Sequence, residues 1–123
     1  KVCRECAEEY TPDQPLIDRI LSVMQGVKKE VFDPATLKKP KLKFVRAKGC
    51  VACGETGYKG RIGVFEIFVV EGRMEQLVLA GADGQQIREE ALKQGMTTIG
   101  QDGYLKVIDK VTAVEEVERI SEE

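Results

Sequence analysis

Histidine and tryptophan are absent from this chain. Without histidine there is no Ser-His-Asp or Cys-His constellation, and no imidazole to hold a metal. Aromatic residues make up only 6% of the 123 positions, so the core has to be aliphatic and modest. Neither the phosphate loop G-x-x-x-x-G-K-[ST] nor the dinucleotide fingerprint G-x-G-x-x-G occurs. No apolar run approaches the roughly 20 residues that cross a bilayer, and the first residues do not form a signal-peptide pattern. A net charge of −2 argues against a bulk electrostatic nucleic-acid binder. The paired carboxylates Glu89-Glu90 and Glu115-Glu116 are adjacent in sequence. On a helix such neighbours point different ways, so they read as solvated faces. No catalytic residue is therefore assigned. The chain opens "KVC", with Lys at position 1 and a cysteine two residues later. The expectation is a piece of a longer polypeptide.

What the chain does have is four cysteines in two Cys-x-x-Cys pairs, Cys3/Cys6 and Cys50/Cys53. Each such turn puts two sulfurs on one side of a tight knuckle, and two facing knuckles supply four thiolates in a tetrahedron. That donor set suits zinc, and soft sulfur also suits iron. Gly54, directly after Cys53, is expected to let the backbone turn back and aim amide N–H groups at sulfur. Cys6 is followed by Ala7, so the first knuckle has less help. Separate pairs in a reduced setting favour a metal over disulfides. A closed four-thiolate site has no open position, so the expected role of Cys3, Cys6, Cys50 and Cys53 is to staple a small fold.

The rest of the chain reads as α+β. Leu16, Ile17, Ile20, Leu21 and Met24 recur at helical spacing, with Asp13 as cap, Pro12 and Pro15 at the start and Gly26 as stop. "DPATLKKPK" reads as a turn or one short helical turn. "KLKFVRAKG" alternates and predicts a strand leading into the second knuckle. "IGVFEIFVV", Ile62 to Val70, is β-branched and aromatic and predicts a second strand. The expected local unit is a small hairpin or three-stranded sheet with the knuckle at its tip. Beyond Glu71 the period becomes helical. Met74, Leu77 and Val78 mark one short helix ended by Gly81. Ile87, Ala91 and Leu92 mark another, capped by Asp83 and ended by Gly95. Tyr104, Leu105, Val107, Ile108 and Val111 mark a third. Thr112-x-x-Glu115 reads as a capping box for a fourth carrying Val114, Val117 and Ile120. The expected division is a knuckle-bearing β unit with an inserted helix over 1–71, then an all-helical subdomain over 72–123.

Two other readings use the same residues. Lys38, Lys39, Lys41, Lys43, Arg46 and Lys48 surround Phe44. A nucleic-acid-binding zinc ribbon would use such a run, whereas a solvated strand face explains it with fewer assumptions. It could equally meet anionic lipid or an acidic partner. A rubredoxin-like electron carrier would need iron and an apolar shell, against which Arg4, Glu5 and Glu55 stand beside the sulfurs. Arg61, between Gly60 and Gly63, reads as a local ion pair with Glu66 or Glu71, or as an arm toward a neighbouring subunit.

Three stretches together carry a family resemblance: "KVCRECAEEYTP", "AKGCVACGETGYKGRIGVFEIFVV" and "QGMTTIGQDGYLKVIDKVTAVEEVERI". The run C-x-x-C-x-x-T-G-Y-x-G-R-x-G, Cys50 to Gly63, is the most specific part. Next comes Q-G-M-x-T, Gln94 to Thr98, with "DGYLKV" after it. Over almost its whole length the chain resembles the C-terminal part of the type II secretion and type IV pilus assembly ATPases. The resemblance implies a cytoplasmic homo-hexamer, peripheral to the inner membrane, whose ATP cycle drives pilin or pseudopilin assembly through an inner-membrane platform protein. It implies that ATP and magnesium bind upstream of this segment. It also implies that Cys3, Cys6, Cys50 and Cys53 are structural zinc ligands. By itself the segment is expected to be a monomer without ATPase activity, and to bind no nucleic acid.

Overall fold

The computed structural model describes residues 1–121. Its regular elements are β1 (Glu8–Tyr10), α1 (Gln14–Val23), β2 (Phe44–Arg46), α2 (Arg73–Leu79), α3 (Gly84–Lys93), α4 (Ile99–Ile108) and α5 (Val114–Ser121). Short 3-10 turns occupy Pro34–Lys38 and Val51–Cys53. The class is α+β, as the periodicity predicted.

The helix ends follow from side chains that satisfy free amides. Asp13 Oδ1 accepts from the Leu16 N–H at 2.9 Å and starts α1, with a proline in the first turn. Asp33 does the same for the turn at Pro34. Asp83 and Gln86 form a reciprocal capping box on α3, and Thr98 and Gln101 form one on α4. Each such cap contributes about 1 kcal/mol. The capping box expected at Thr112 and Glu115 is not made: α5 begins at Val114, and no hydrogen bond joins those two residues among the described ones. Val111 falls in the turn after α4 rather than inside it.

β1 and β2 pair antiparallel, with Glu8 opposite Arg46, Glu9 opposite Val45 and Tyr10 opposite Phe44. The sequence predicted β2 but missed β1, whose "EEY" is short and mostly charged. The second predicted strand does not form. Residues 62 to 70 belong to no ladder, and most of their apolar side chains are exposed. Among the described residues, no backbone–backbone hydrogen bond involves 61 to 70. Composition supplied β preference, but a strand needs a partner, and none lies beside it among the described residues.

The main core gathers Ile20, Met24, Phe32, Leu37 and Phe44 from before residue 71, and Tyr104, Val107, Val114 and Val117 from after it. Helices α4 and α5 pack on each other, and α4 also meets α1 and β2. Gln101, missed in the sequence, stitches the halves. Its buried amide donates to the carbonyl oxygens of Val23 at 3.0 Å and Gln25 at 3.4 Å, where α1 leaves its last carbonyls unpaired. A smaller cluster of Val2, Val45 and Ala113 lies beneath the first knuckle.

Candidate metal centre

The β1–β2 ladder is what brings the two cysteine pairs together. β1 follows the first pair and β2 precedes the second. The ladder ends at Glu8 and Arg46; beyond it residues 4–6 turn, the Cys3 N–H donates to the Gly57 carbonyl at 2.8 Å, and the Gly49 N–H donates to Cys6 Sγ, which sets the two pairs side by side. The long stretch between the pairs is therefore no obstacle: α1 and the Pro34 turn are an excursion from the end of β1 to the start of β2.

The four Sγ atoms all lie within 4.8 Å of one another. Cys3 and Cys50 are 3.9 Å apart, Cys6 and Cys53 3.9 Å, and Cys50 and Cys53 3.7 Å. All four are free thiols, Cys3 buried and the others half-buried. Sulfur ligands about 2.3 Å from one zinc ion stand about 3.7–3.8 Å apart in a tetrahedron, so this spacing fits a metal.

Amide donors aim at the sulfurs. Cys53 Sγ accepts from the N–H groups of Cys50 and Gly57, each at 3.2 Å, and Cys6 Sγ accepts from Gly49 at 3.4 Å. Gly54 is left-handed, as the turn requires. Two further glycines permit close approach. A Cβ at Gly57 would sit 2.6 Å from the Ala47 side chain, and one at Gly49 would sit 2.8 Å from the Glu55 carbonyl oxygen. Among the described residues the first knuckle aims no amide of its own at its sulfurs and borrows Gly49 from the second.

These donors also separate the thiols. Desolvation raises both. At Cys53 the backbone N–H groups of Cys50 and Gly57 overcome it and bring the thiol down to about 6. At Cys50 desolvation prevails, helped by thiol hydrogen bonds with Cys53 and Cys6, and the thiol is pushed up to about 11.

The basic run is not an open stacking surface. Phe44 is fully buried, Lys48 pairs with Glu8 at 3.0 Å, Lys43 donates to Thr11 at 2.7 Å, and Arg46 lies 4.2 Å over the Tyr10 ring. Arg61 makes neither ion pair expected of it among the described residues. Glu66 instead meets Arg88 at 3.6 Å and accepts from the Ile99 N–H at 3.0 Å. Among the described residues no helix is long and apolar enough to cross a membrane.

The family described as Type II/IV secretion system protein matches residues 1–119, and the chain belongs to that family. It is 33% identical over 117 residues to a type IV pilus assembly ATPase PilB of Thermus thermophilus, covering 95% of this chain and 12% of that protein. It is 31% identical over 122 residues to a type II secretion system ATPase E of Vibrio cholerae, covering 99% of this chain and 21% of that protein. A type II secretion system protein E of Pseudomonas aeruginosa is 34% identical over 122 residues, again 99% and 21%. The chain thus spans between 12% and 21% of the length of these relatives.

Proposed function

We propose that this chain is the zinc-stapled, non-catalytic portion of a hexameric secretion or pilus assembly ATPase. The longer protein hydrolyses ATP, with magnesium, at a phosphate loop outside these residues. It works at the cytoplasmic face of the inner membrane and drives pilin or pseudopilin assembly. The observation that carries the reading is the closed cluster of Cys3, Cys6, Cys50 and Cys53 in a chain of this family. Four thiolates leave no open coordination position, so zinc here holds structure rather than performs chemistry. A metal that binds only the folded knuckles adds its binding free energy to folding. The small aliphatic core gains most from this.

The division near residue 71 is then one of role over a shared core. The cysteine knuckles lie before it, and the helices that close the core lie after it. A rigid knob of this kind passes nucleotide-driven movement to neighbouring subunits and to an inner-membrane platform protein.

The test is a paired assay. The full-length protein should hydrolyse ATP, and the 123-residue chain should not, while binding one zinc per chain. ATP turnover by the short chain would contradict the non-catalytic role. Iron with a visible absorption band would replace the staple by an electron carrier.

A further inference from the structure

The stretch from Ile62 to Val70 has one edge occupied and one edge open. Phe65 donates its N–H to Asp102 Oδ2 at 2.9 Å. Val69 donates to Gln94 Oε1 at 3.2 Å and accepts from Gln94 Nε2 at 2.9 Å. Side chains of α4 and of the residue ending α3 thus act as a stand-in for a neighbouring strand. No residue from Arg61 to Val70 has a positive φ, and burial alternates over Gly63 to Ile67. In extended backbone, the polar groups of consecutive residues point to opposite edges. The bonds at Phe65 and Val69 therefore place the odd-numbered amides toward the helices. They leave Val64, Glu66, Phe68 and Val70 facing the other way. No backbone partner meets that edge among the described residues. Phe65, Ile67, Val69 and Val70 are all more than half exposed beside it.

We propose that this open edge is the docking site of a β-strand formed by the stretch of the longer chain that leads into Lys1. The proposal rests on the reading above that these residues belong to a longer protein. Its direction comes from pairing already present. Val2 bridges Tyr58 antiparallel. Cys3 N–H donates to Gly57 at 2.8 Å and Lys59 N–H donates to Lys1 at 2.9 Å. The Lys1 amino group reaches the Gly60 carbonyl at 3.1 Å. In an antiparallel pair, the chain arriving at Lys1 comes from the side toward which residues 61 to 70 depart. A groove of about 440 Å³ has Lys1, Gly60, Ile62 and Val64 in one wall and Lys106, Val117 and Ile120 of α4 and α5 in the other. Gly57 and Lys59 face the first residues from the odd-numbered edge, but Gly60, at φ 78°, breaks the extended phase and turns its own carbonyl to Lys1. An incoming strand therefore meets the even-numbered edge, satisfies the free amides and covers the apolar side chains.

Amide hydrogen exchange on the full-length protein and on the 123-residue chain tests this. The amides of Val64, Glu66, Phe68 and Val70 should exchange about a hundredfold or more slowly in the longer protein, at any protein concentration. Phe68→Pro removes a donor on the open edge. It should lower the thermal midpoint of the longer protein and leave that of the short chain unchanged. Equal, fast exchange in both would overturn the proposal. So would protection that appears only as concentration rises, because a second copy would then be the occupant. ATP hydrolysis measured on the same samples keeps the two readings apart. Fast amides in a hydrolysing protein sink the strand alone. Protected amides in a protein that does not hydrolyse ATP sink the ATPase reading alone.

Discussion

Two stretches of this chain carry the same signature and meet different fates. "KLKFVRAKG" and "IGVFEIFVV" both read as strands, and the second has the stronger β composition. Only the first becomes one, because Glu8–Tyr10 lies beside it and offers a ladder. Its apolar residues then go inside: Phe44 is 0% exposed, whereas Phe65 in the other stretch is 63% exposed. Propensity fixes which backbone would suit a sheet, but pairing decides whether the sheet exists. The knuckle region closes on itself through its ladder and its four sulfurs. In the 62–70 region side chains tie the N–H groups of Phe65 and Val69 and the Val69 carbonyl, and no backbone group pairs with another backbone group among the described residues.

Breaking the knuckle should have the largest effect. Cys50→Ser combined with Cys53→Ser, or chelation, should remove the proposed zinc, whose apparent folding contribution in small zinc domains is about 10 kcal/mol or more. The expected outcome is loss of protection at Glu8–Tyr10 and Phe44–Arg46 in hydrogen exchange. Unchanged protection after metal loss would mean that the ladder stands alone.

The next test compares one residue type across the two regions. Phe44→Ala should cost about 3–5 kcal/mol, as for a large buried side chain. Phe65→Ala in the 123-residue chain should stay within about 0.5 kcal/mol, as for an exposed site. Denaturant titration of both variants measures the contrast, and similar losses would erase it.

A finer cut is Gln94→Ala. Both of its hydrogen bonds to Val69 are exposed, so global stability should shift by about 1 kcal/mol or less. Exchange at the Val69 amide should nevertheless rise, with β1 and β2 unaffected.

The smallest effect is a control outside both regions. Glu116 is held below the usual carboxylate range by its hydrogen bond from Arg119, with desolvation opposing. A carboxyl lowered on folding stabilises above its unfolded pKa, and that contribution fades as pH falls through the folded value. The pair is a surface one at 2.9 Å, so the loss below about pH 4.5 should be under about 1 kcal/mol. It should vanish in Arg119→Ala when thermal midpoints are followed against pH.

Much of this was legible in the residues. The cysteine spacing, the left-handed Gly54, the caps at Asp13 and Asp83 and the α+β class all follow from local chemistry. Three features were not. β1 is charged, and its only strand credential is the partner it finds at Val45. Gly49 and Gly57 matter because of what lies across the fold, the Glu55 carbonyl and the Ala47 side chain. Gln101 looks like an ordinary helical polar residue until α1 ends beside it. Each miss is a long-range contact that no window of neighbouring residues contains. The failed strand at Ile62–Val70 is the converse: its local signal was right, and its partner is not among the described residues.

The central claim is a closed, structural four-thiolate zinc site. X-ray absorption at the zinc edge of the untagged chain tests it most directly. The account predicts one zinc per chain with four sulfur neighbours at about 2.3 Å and no lighter ligand. A shell containing oxygen or nitrogen, or a chain that holds no zinc, would contradict it.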